Sequence, residues 1–307
     1  MILCCGESLI DMIPRPCDGG ATGFVPHSGG AVFNTAIALG RLGAPAGLLT
    51  GLSTDLFGRQ LAETLAASGV STALAITSDR PTTLAFVELT EGQARYTFYD
   101  ENTAGRMIAE TELPALPEDV SALFFGGISL ISEPAADTYA ALAARGGDRA
   151  VMLDPNIRAG FVRDAERYRA RLARMIALAD IVKVSDEDLD WLYPGDAPLT
   201  DKLARLQAAG PSVAILTRGA KGAVALLPFG AQVEVASARA TVVDTVGAGD
   251  TFNAGVLAKL SELGLLGKAA LAELAEEPAR DALAFGATVA AVTVARAGAN
   301  PPWREEL

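Results

Sequence analysis

Short apolar runs rich in β-branched residues alternate with segments of helical apolar spacing along nearly the whole chain. Ile2–Cys5, Ala46–Thr50, Ala122–Gly127, Ala150–Asp154 and Ile181–Val184 read as strands, as do Val213–Thr217, Gly222–Leu227 and Val233–Val235. Helices are expected from Gly29–Asn34 to Gly43, over Leu56–Leu65, Ala135–Ala144, Arg163–Leu178 and Leu199–Ala209, and over residues 251–263 and 279–295. Repeated strand–helix pairs need crossover connections. The expected fold is therefore one α/β domain over residues 1–307, with a mostly parallel central sheet covered by helices on both faces. In such a sheet the functional residues stand at the C-terminal ends of the strands.

One stretch breaks the alternation. Leu84–Leu89 and Ala94–Tyr99 have period two on either side of Glu91-Gly92, which reads as a hairpin and a small extension of the main fold. Met12–Pro26 carries prolines and glycines and has no firm helical period.

Chemistry concentrates in Asp244-Thr245-Val246-Gly247-Ala248-Gly249-Asp250. Arg239–Val243 before it is β-branched enough to read as a strand, and Thr251–Leu260 after it has helical spacing. A Gly-Ala-Gly turn at a helix start leaves amide N–H groups unpaired, and an anion placed there also gains the helix dipole. Beside such amides Asp250 can accept a hydroxyl proton while they hold the charge that develops. The plainer reading is a glycine turn with Asp250 as helix cap. Other phosphate loops do not match: Gly219-Ala220-Lys221-Gly222 is too short for G-x-x-x-x-G-K-[ST], and a dinucleotide fingerprint would need glycine at Phe252.

Composition narrows the partners. Lys and Arg number 25 against 37 Asp and Glu, and the formal charge of −12 opposes nucleic acid and anionic membranes. Cys4, Cys5 and Cys17 have no metal or redox spacing and read as reduced cytosolic thiols, while the single histidine, His27, excludes a histidine metal cluster. Met1–Glu7 has no basic region before its apolar run, so no signal peptide is expected there. The longest near-apolar run, Ala282–Ala295, is too short to cross a bilayer and suits a buried helix.

Asp-Thr-x-Gly-Ala-Gly-Asp followed by Thr251-Phe252 resembles the C-terminal signature of the ribokinase-like (PfkB) carbohydrate kinases. The resemblance runs from Gly6 to the C-terminus and is strongest toward bacterial fructokinases. It implies a ribokinase-like three-layer α/β/α core with a small β-sheet lid, built from segments at about 12–28 and 82–106. It also implies ATP and Mg²⁺ as cofactors. Asp250 would take the hydroxyl proton, and the Gly247, Ala248 and Gly249 amides would hold the transferring phosphoryl.

Other roles follow from the same resemblance. Gly29, Gly30 and Asn34 of the N-terminal signature would line the sugar site, with Asp11 receiving sugar hydroxyls. Asp154-Pro155-Asn156-Ile157-Arg158 would lie beside the sugar, Asp154 binding it and Arg158 steadying substrate or phosphoryl. Ser185 would sit near the nucleotide phosphates, and Asp188 would act through water on Mg²⁺, one methylene shorter than the family's glutamate. Thr217, Gly219 and Gly222 would run along the phosphates and ribose, and Ala287 stands where relatives often have an adenine-side asparagine. Asp244, Val246 and Gly298 fall where many relatives hold a monovalent cation such as K⁺. In the lid, Phe98 would pack on the sugar and Arg106 would bond to it, and the exposed lid edge points to a homodimer.

The leading expectation is a cytoplasmic fructokinase that phosphorylates the 6-hydroxyl of fructose. A 2-keto-3-deoxygluconate kinase would need a further cation for its carboxylate, for which Arg106 and Arg158 are candidates; a nucleoside kinase is the other near relative. A non-catalytic sugar or nucleotide sensor should have lost Asp250 or the glycine turn, and both are present.

Overall fold

All four side chains of β1 (Ile2–Cys5) are buried, Ile2 and Cys4 against one layer of helices and Leu3 and Cys5 against the other. Side chains alternate along a strand, so a strand covered on both faces must be apolar throughout. The computed structural model describes residues 1–90 and 93–307. In it β1 pairs in parallel with β4 (Ala46–Leu49) and with β10 (Ala122–Gly126). Beyond β4 lies β6 (Val70–Ser71). Beyond β10 come β11 (Ala150–Asp154), β12 (Ile181–Ser185) and β13 (Val213–Thr217), still parallel. Antiparallel β14 (Ala223–Leu226) and β15 (Gln232–Val235) complete a nine-stranded sheet.

The chain leaves β1 toward β4 and later returns to β10 on the opposite side. Their C-terminal ends thus form the switch point at which an α/β sheet opens a crevice. One face is covered by α1 (Ala31–Arg41), α2 (Leu56–Ala67), α7 (Ala248–Glu262) and α9 (Glu276–Val294), with the short α8 (Lys268–Leu271) before the last. The other is covered by α3 (Ala135–Ala144), α4 (Ala165–Leu178), α5 (Asp186–Leu192) and α6 (Leu199–Ala208). This is the expected three-layer ribokinase-like architecture. Helices α7 and α9 meet backbone to backbone: a β-carbon on Gly255 would lie 2.6 Å from the Gly286 Cα.

A smaller sheet stands over the crevice, in the order β3 (Thr22–Gly29), β2 (Leu9–Pro16), β8 (Leu84–Thr90) and β9 (Gln93–Tyr99). The stretch from Met12 to Pro26 is therefore two antiparallel strands with Met12 opposite Pro26. The expected turn at Glu91-Gly92 lies outside the described residues. On one face of this sheet Phe24, Phe86 and Tyr99 stack edge to face in a row, with Phe24 and Tyr99 largely exposed. A two-stranded pair, β5 (Gly51–Ser53) and β7 (Ile76–Ser78), completes the strands. No described helix is long and apolar enough to cross a membrane. Cys4 and Cys5 are buried and Cys17 is exposed, all three as free thiols.

One expected strand is absent. Residues 236–247 form no strand, and Val242 and Val243 are each 62% exposed. The Val243 and Asp244 amides both donate to Val294 O at the end of α9. β-Branched residues favour a strand only where a neighbouring strand is available to pack against, and none is here.

Candidate active site

Helix α7 begins at the crevice. Its N-cap, Gly247, has φ +79°, a left-handed conformation that a side chain would strain. That turn sets Ala248, Gly249 and Asp250 as the first three helical residues. Among the described residues the Gly247, Gly249 and Asp250 amides have no hydrogen-bond partner, whereas Ala248 N donates to Thr245 O at 3.3 Å. The open amides are thus those of Gly247, Gly249 and Asp250, and the Ala248 amide is turned back on its own loop.

Asp250 is 7% exposed. Asn34 Nδ2 donates to its Oδ2 at 2.9 Å, and Thr35 Oγ1 donates to its backbone carbonyl at 3.1 Å. Burial pushes the carboxyl pKa up to about 7; Asn34 and Lys183 work against that rise, and Asp154 and Glu7 add to it. A carboxylate with that pKa is a stronger base than an exposed aspartate yet still substantially ionised at neutral pH.

Asp250 and the open amides face a cleft of about 330 Å³ between the main sheet and the small one. Asp11, Asn34, Asn156, Arg158 and Phe98 line it too, so hydrogen-bonding groups from β2, α1 and the β11 loop converge on one space with an aromatic ring from β9. Gly29 lies directly behind: a β-carbon there would lie 2.3 Å from Asp11 Oδ2. Burial raises the Asp11 carboxyl to about 6. Arg158 Nη1 donates to Asn156 Oδ1 at 2.6 Å, and Phe98 meets Phe161 edge to face at 4.7 Å.

A second groove, of about 440 Å³, lies on the other side of the glycine turn. Thr217, Gly219 and Gly222 border it with the apolar Val242, Phe252 and Ala287. Thr245, Ala248 and Gly249 border both spaces, so the turn is the partition between a polar cleft and a mostly apolar groove.

Comparison with known proteins decides the family. A model of the pfkB family of carbohydrate kinases matches residues 1–306. The chain belongs to the pfkB carbohydrate kinases. It is 52% identical over 284 residues to a fructokinase of Rhizobium leguminosarum bv. trifolii, covering 92% of this chain and 86% of that one. Among solved structures it is similar to the fructokinase of Xylella fastidiosa with bound ATP, with a TM-score of 0.88, 30% identity, and coverage of 97% of this chain and 93% of that one. The aminoimidazole riboside kinase of Salmonella enterica, complexed with aminoimidazole riboside and an ATP analog, gives a TM-score of 0.81 at 25% identity, covering 97% and 94%. This pfkB kinase is accordingly an ATP-dependent, fructokinase-like enzyme that transfers a phosphoryl group to a sugar hydroxyl.

Several residues expected in the site of the kinase are elsewhere. Asp154 is 2% exposed and turned inward, its Oδ2 accepting from Lys183 Nζ at 2.9 Å and from Asn253 Nδ2 at 2.6 Å. Arg106 lines a neighbouring cavity of about 460 Å³, where Asp100 and Glu133 O hold its guanidinium. Asp188 is buried and lines neither space: Oδ1 accepts from Ile157 N at 2.7 Å, and Oδ2 from Ser185 N at 2.9 Å and Ser185 Oγ at 2.7 Å. It is the capping partner of α5, and Ser185 is the N-cap rather than a wall of either space. Asp244 likewise binds backbone amides, Oδ1 that of Val246 at 3.0 Å and Oδ2 that of Gly298 at 2.9 Å. The carboxylate clasps the loop to the C-terminal segment.

Three residues had no role assigned from sequence. Glu7 lines the cleft, and its carboxylate accepts from Ala31 N at 3.0 Å and Ser129 N at 3.2 Å. Burial raises its pKa against those hydrogen bonds. Lys183 is buried under the start of α7, and Asn253 is buried on α7 itself. A lysine between Val182 and Val184 in a buried parallel strand was the available signal, because a charge there needs a partner.

Proposed function

We propose that the kinase phosphorylates D-fructose at its 6-hydroxyl, with the sugar in the polar cleft and ATP in the apolar groove. The observation that carries this reading is the shared border at Thr245, Ala248 and Gly249. A γ-phosphoryl reaching across that partition meets the open amides on one side and Asp250 on the other. Asp250 takes the hydroxyl proton as the bond from the sugar oxygen to the γ-phosphorus forms and the bond to the bridging oxygen breaks, ADP leaving with that oxygen. The Gly247, Gly249 and Asp250 amides hold the charge on the transferring oxygens. Asp11 and Asn34 receive sugar hydroxyls, and Arg158 steadies the phosphoryl. The apolar wall at Ala287 accepts the base without a side-chain hydrogen bond.

Among the described residues no three His, Cys, Asp or Glu side chains cluster as a metal site. Mg²⁺ fits as an ion carried by the triphosphate, whose oxygens would supply most of its ligands and whose charge it would neutralise. A monovalent cation would be held by the backbone around Asp244 and Val246 and by the Gly298 segment, which the Asp244 carboxylate clasps together.

The small sheet acts as the lid, excluding water so that ATP is not hydrolysed. Its exposed row of Phe24 and Tyr99 is the face for a second copy in a homodimer. An exposed Cys17 thiol suits a reducing cytoplasm.

Fructose is favoured over a sugar acid by charge. Among the described residues lining the cleft, Arg158 is the only cation, against Glu7, Asp11 and Asp250. The Arg106 that a keto-acid would require is already paired outside it. The deciding measurement is kcat/KM with ATP and Mg²⁺ over fructose, ribose, tagatose, adenosine and 2-keto-3-deoxygluconate, with the phosphorylated position checked. Fructose should lead by at least about tenfold, because each buried hydrogen bond matched or missed carries that scale of discrimination. A lead for the keto-acid would overturn the assignment.

A further inference from the structure

Lys183 is 4% exposed in the middle of β12. Its Nζ binds Asp154 Oδ2 at 2.9 Å, and the same oxygen accepts from Asn253 Nδ2, one turn into α7. Above the ammonium lies the glycine turn: a β-carbon on Gly249 would be 3.1 Å from Lys183 Nζ. Burial alone would lower its pKa, yet Asp154 and Asp188 outweigh burial and hold it above the ordinary lysine range. A buried charge pair is hard to justify as a source of stability, since an apolar pair of similar volume does as well or better. This pair has a geometry that an apolar pair would lack. Its positive end lies against Gly249, and its negative end ties the sheet to Asn253.

We infer that Lys183 is a positioning residue for phosphoryl transfer: its ammonium, anchored by Asp154, seats the Gly249 segment and makes the underside of the amide cradle positive. The Nζ touches neither cleft nor groove, so it acts through the backbone of Gly249. Charge on the transferring phosphoryl is greatest as the reaction proceeds, and an ammonium fixed below the amides needs no reorganisation at that moment. Lys183 therefore affects the trapped phosphoryl more than the ground-state binding of sugar or ADP. Asn253 supplies the mechanical half of the arrangement, fixing the first turn of α7 to the strand that carries Asp154.

This inference rests on reading the Gly247–Asp250 amides as an anion cradle, and the test separates the two. The probe is MgADP with aluminium fluoride, which imitates the transferring phosphoryl, bound in the presence of fructose. The parent should form this complex; failure to do so overturns the cradle and the role of Lys183 with it. The paired variant Lys183→Met with Asp154→Asn removes both buried charges and keeps the site filled. It should bind ADP and fructose within about twofold of the parent, yet lose at least about tenfold in kcat and in affinity for the aluminium fluoride complex. A second variant, Gly249→Ala, keeps every charge and places a methyl group 3.1 Å from the ammonium, close enough that the two must move apart. It covers the case in which the paired variant does not fold, and it should weaken the trapped complex to a similar degree. Trapping and kcat within about twofold of the parent in whichever variant folds would overturn the Lys183 role and leave the cradle standing.

Discussion

Asn34 on α1 and Asp250 on α7 are joined across the cleft by a hydrogen bond of 2.9 Å from Nδ2 to Oδ2. The bond fixes the rotation of the carboxylate. Among the described residues Oδ1 accepts no hydrogen bond, and it is the oxygen left to meet an acceptor hydroxyl.

Replacing Asp250 by Asn should keep the shape of the site and remove the proton acceptor. Turnover is expected to fall by about 10²–10⁴ while ADP and fructose still bind. Single-turnover assays beside calorimetric binding would check this, and near-normal turnover would take the base away from Asp250.

The rate should depend on pH through the same group. Burial raises Asp250 to about 7, so kcat/KM should climb as pH rises through that value and level off above it. The Asn34 hydrogen bond favours the ionised form, and Asn34→Leu should therefore move the acid limb upward. A limb unmoved in that variant, or one at the ordinary carboxylate pKa, counts against the assignment.

Stability carries the opposite sign. A carboxyl raised from 3.8 to about 7 on folding favours the folded state fully below the lower value, and that contribution is lost as pH rises through the upper one. Asp250→Asn does not titrate. Its Tm should gain on the parent between pH about 4 and about 7 and keep a constant lead above that window. Thermal melts at matched ionic strength would show it; a lead that shrinks with rising pH would contradict it.

Hydrogen exchange should reveal the lid. With fructose and ADP bound, the amides of β8 and β9 are expected to exchange more slowly than in the free kinase, while those of β12 and β13 stay as they were. Equal exchange of the hairpin strands in both states would leave the small sheet without a gating role.

Asp188 provides a test of what a motif implies. Asp188→Ala removes the acceptor for the part-buried amides Ser185 N and Ile157 N, at a combined cost of roughly 1–3 kcal/mol. A clear drop in Tm with an unchanged Mg²⁺ dependence of the rate is expected. A large rise in the Mg²⁺ requirement would restore the carboxylate to the metal.

Much of the architecture was legible because buried parallel strands are continuously apolar. Ala150–Asp154, Val213–Thr217 and the helix Ala135–Ala144 fall where the pattern put them. β2 and β3 were harder, since Pro14, Pro16 and Pro26 disguise them. Those prolines are tolerated because β3 is an edge strand and β2 pairs with β8 only over Ile10–Met12. Arg239–Val243 failed for the reverse reason, having strand-like residues and no partner strand.

In the site, residue types were readable and directions were not. Asp11 and Asp154 both stand near strand ends, yet one lines the cleft and the other turns down to Lys183. The choice depends on a lysine and an asparagine distant in sequence. Arg106 and Asp188 were diverted in the same way, by Asp100 and by the amides of Ile157 and Ser185.

The contact between Gly255 and Gly286 leaves α7 and α9 no side chain with which to absorb a misfit. An added methyl group at either position must push the two helices apart, and a stiff helix would carry that shift to its own first turn, which holds Asp250. With Asp250 as the proposed base, helix α9 serves as a splint for its carboxylate, and a mutation on its glycine face should register as lost turnover in a protein whose cleft is chemically intact.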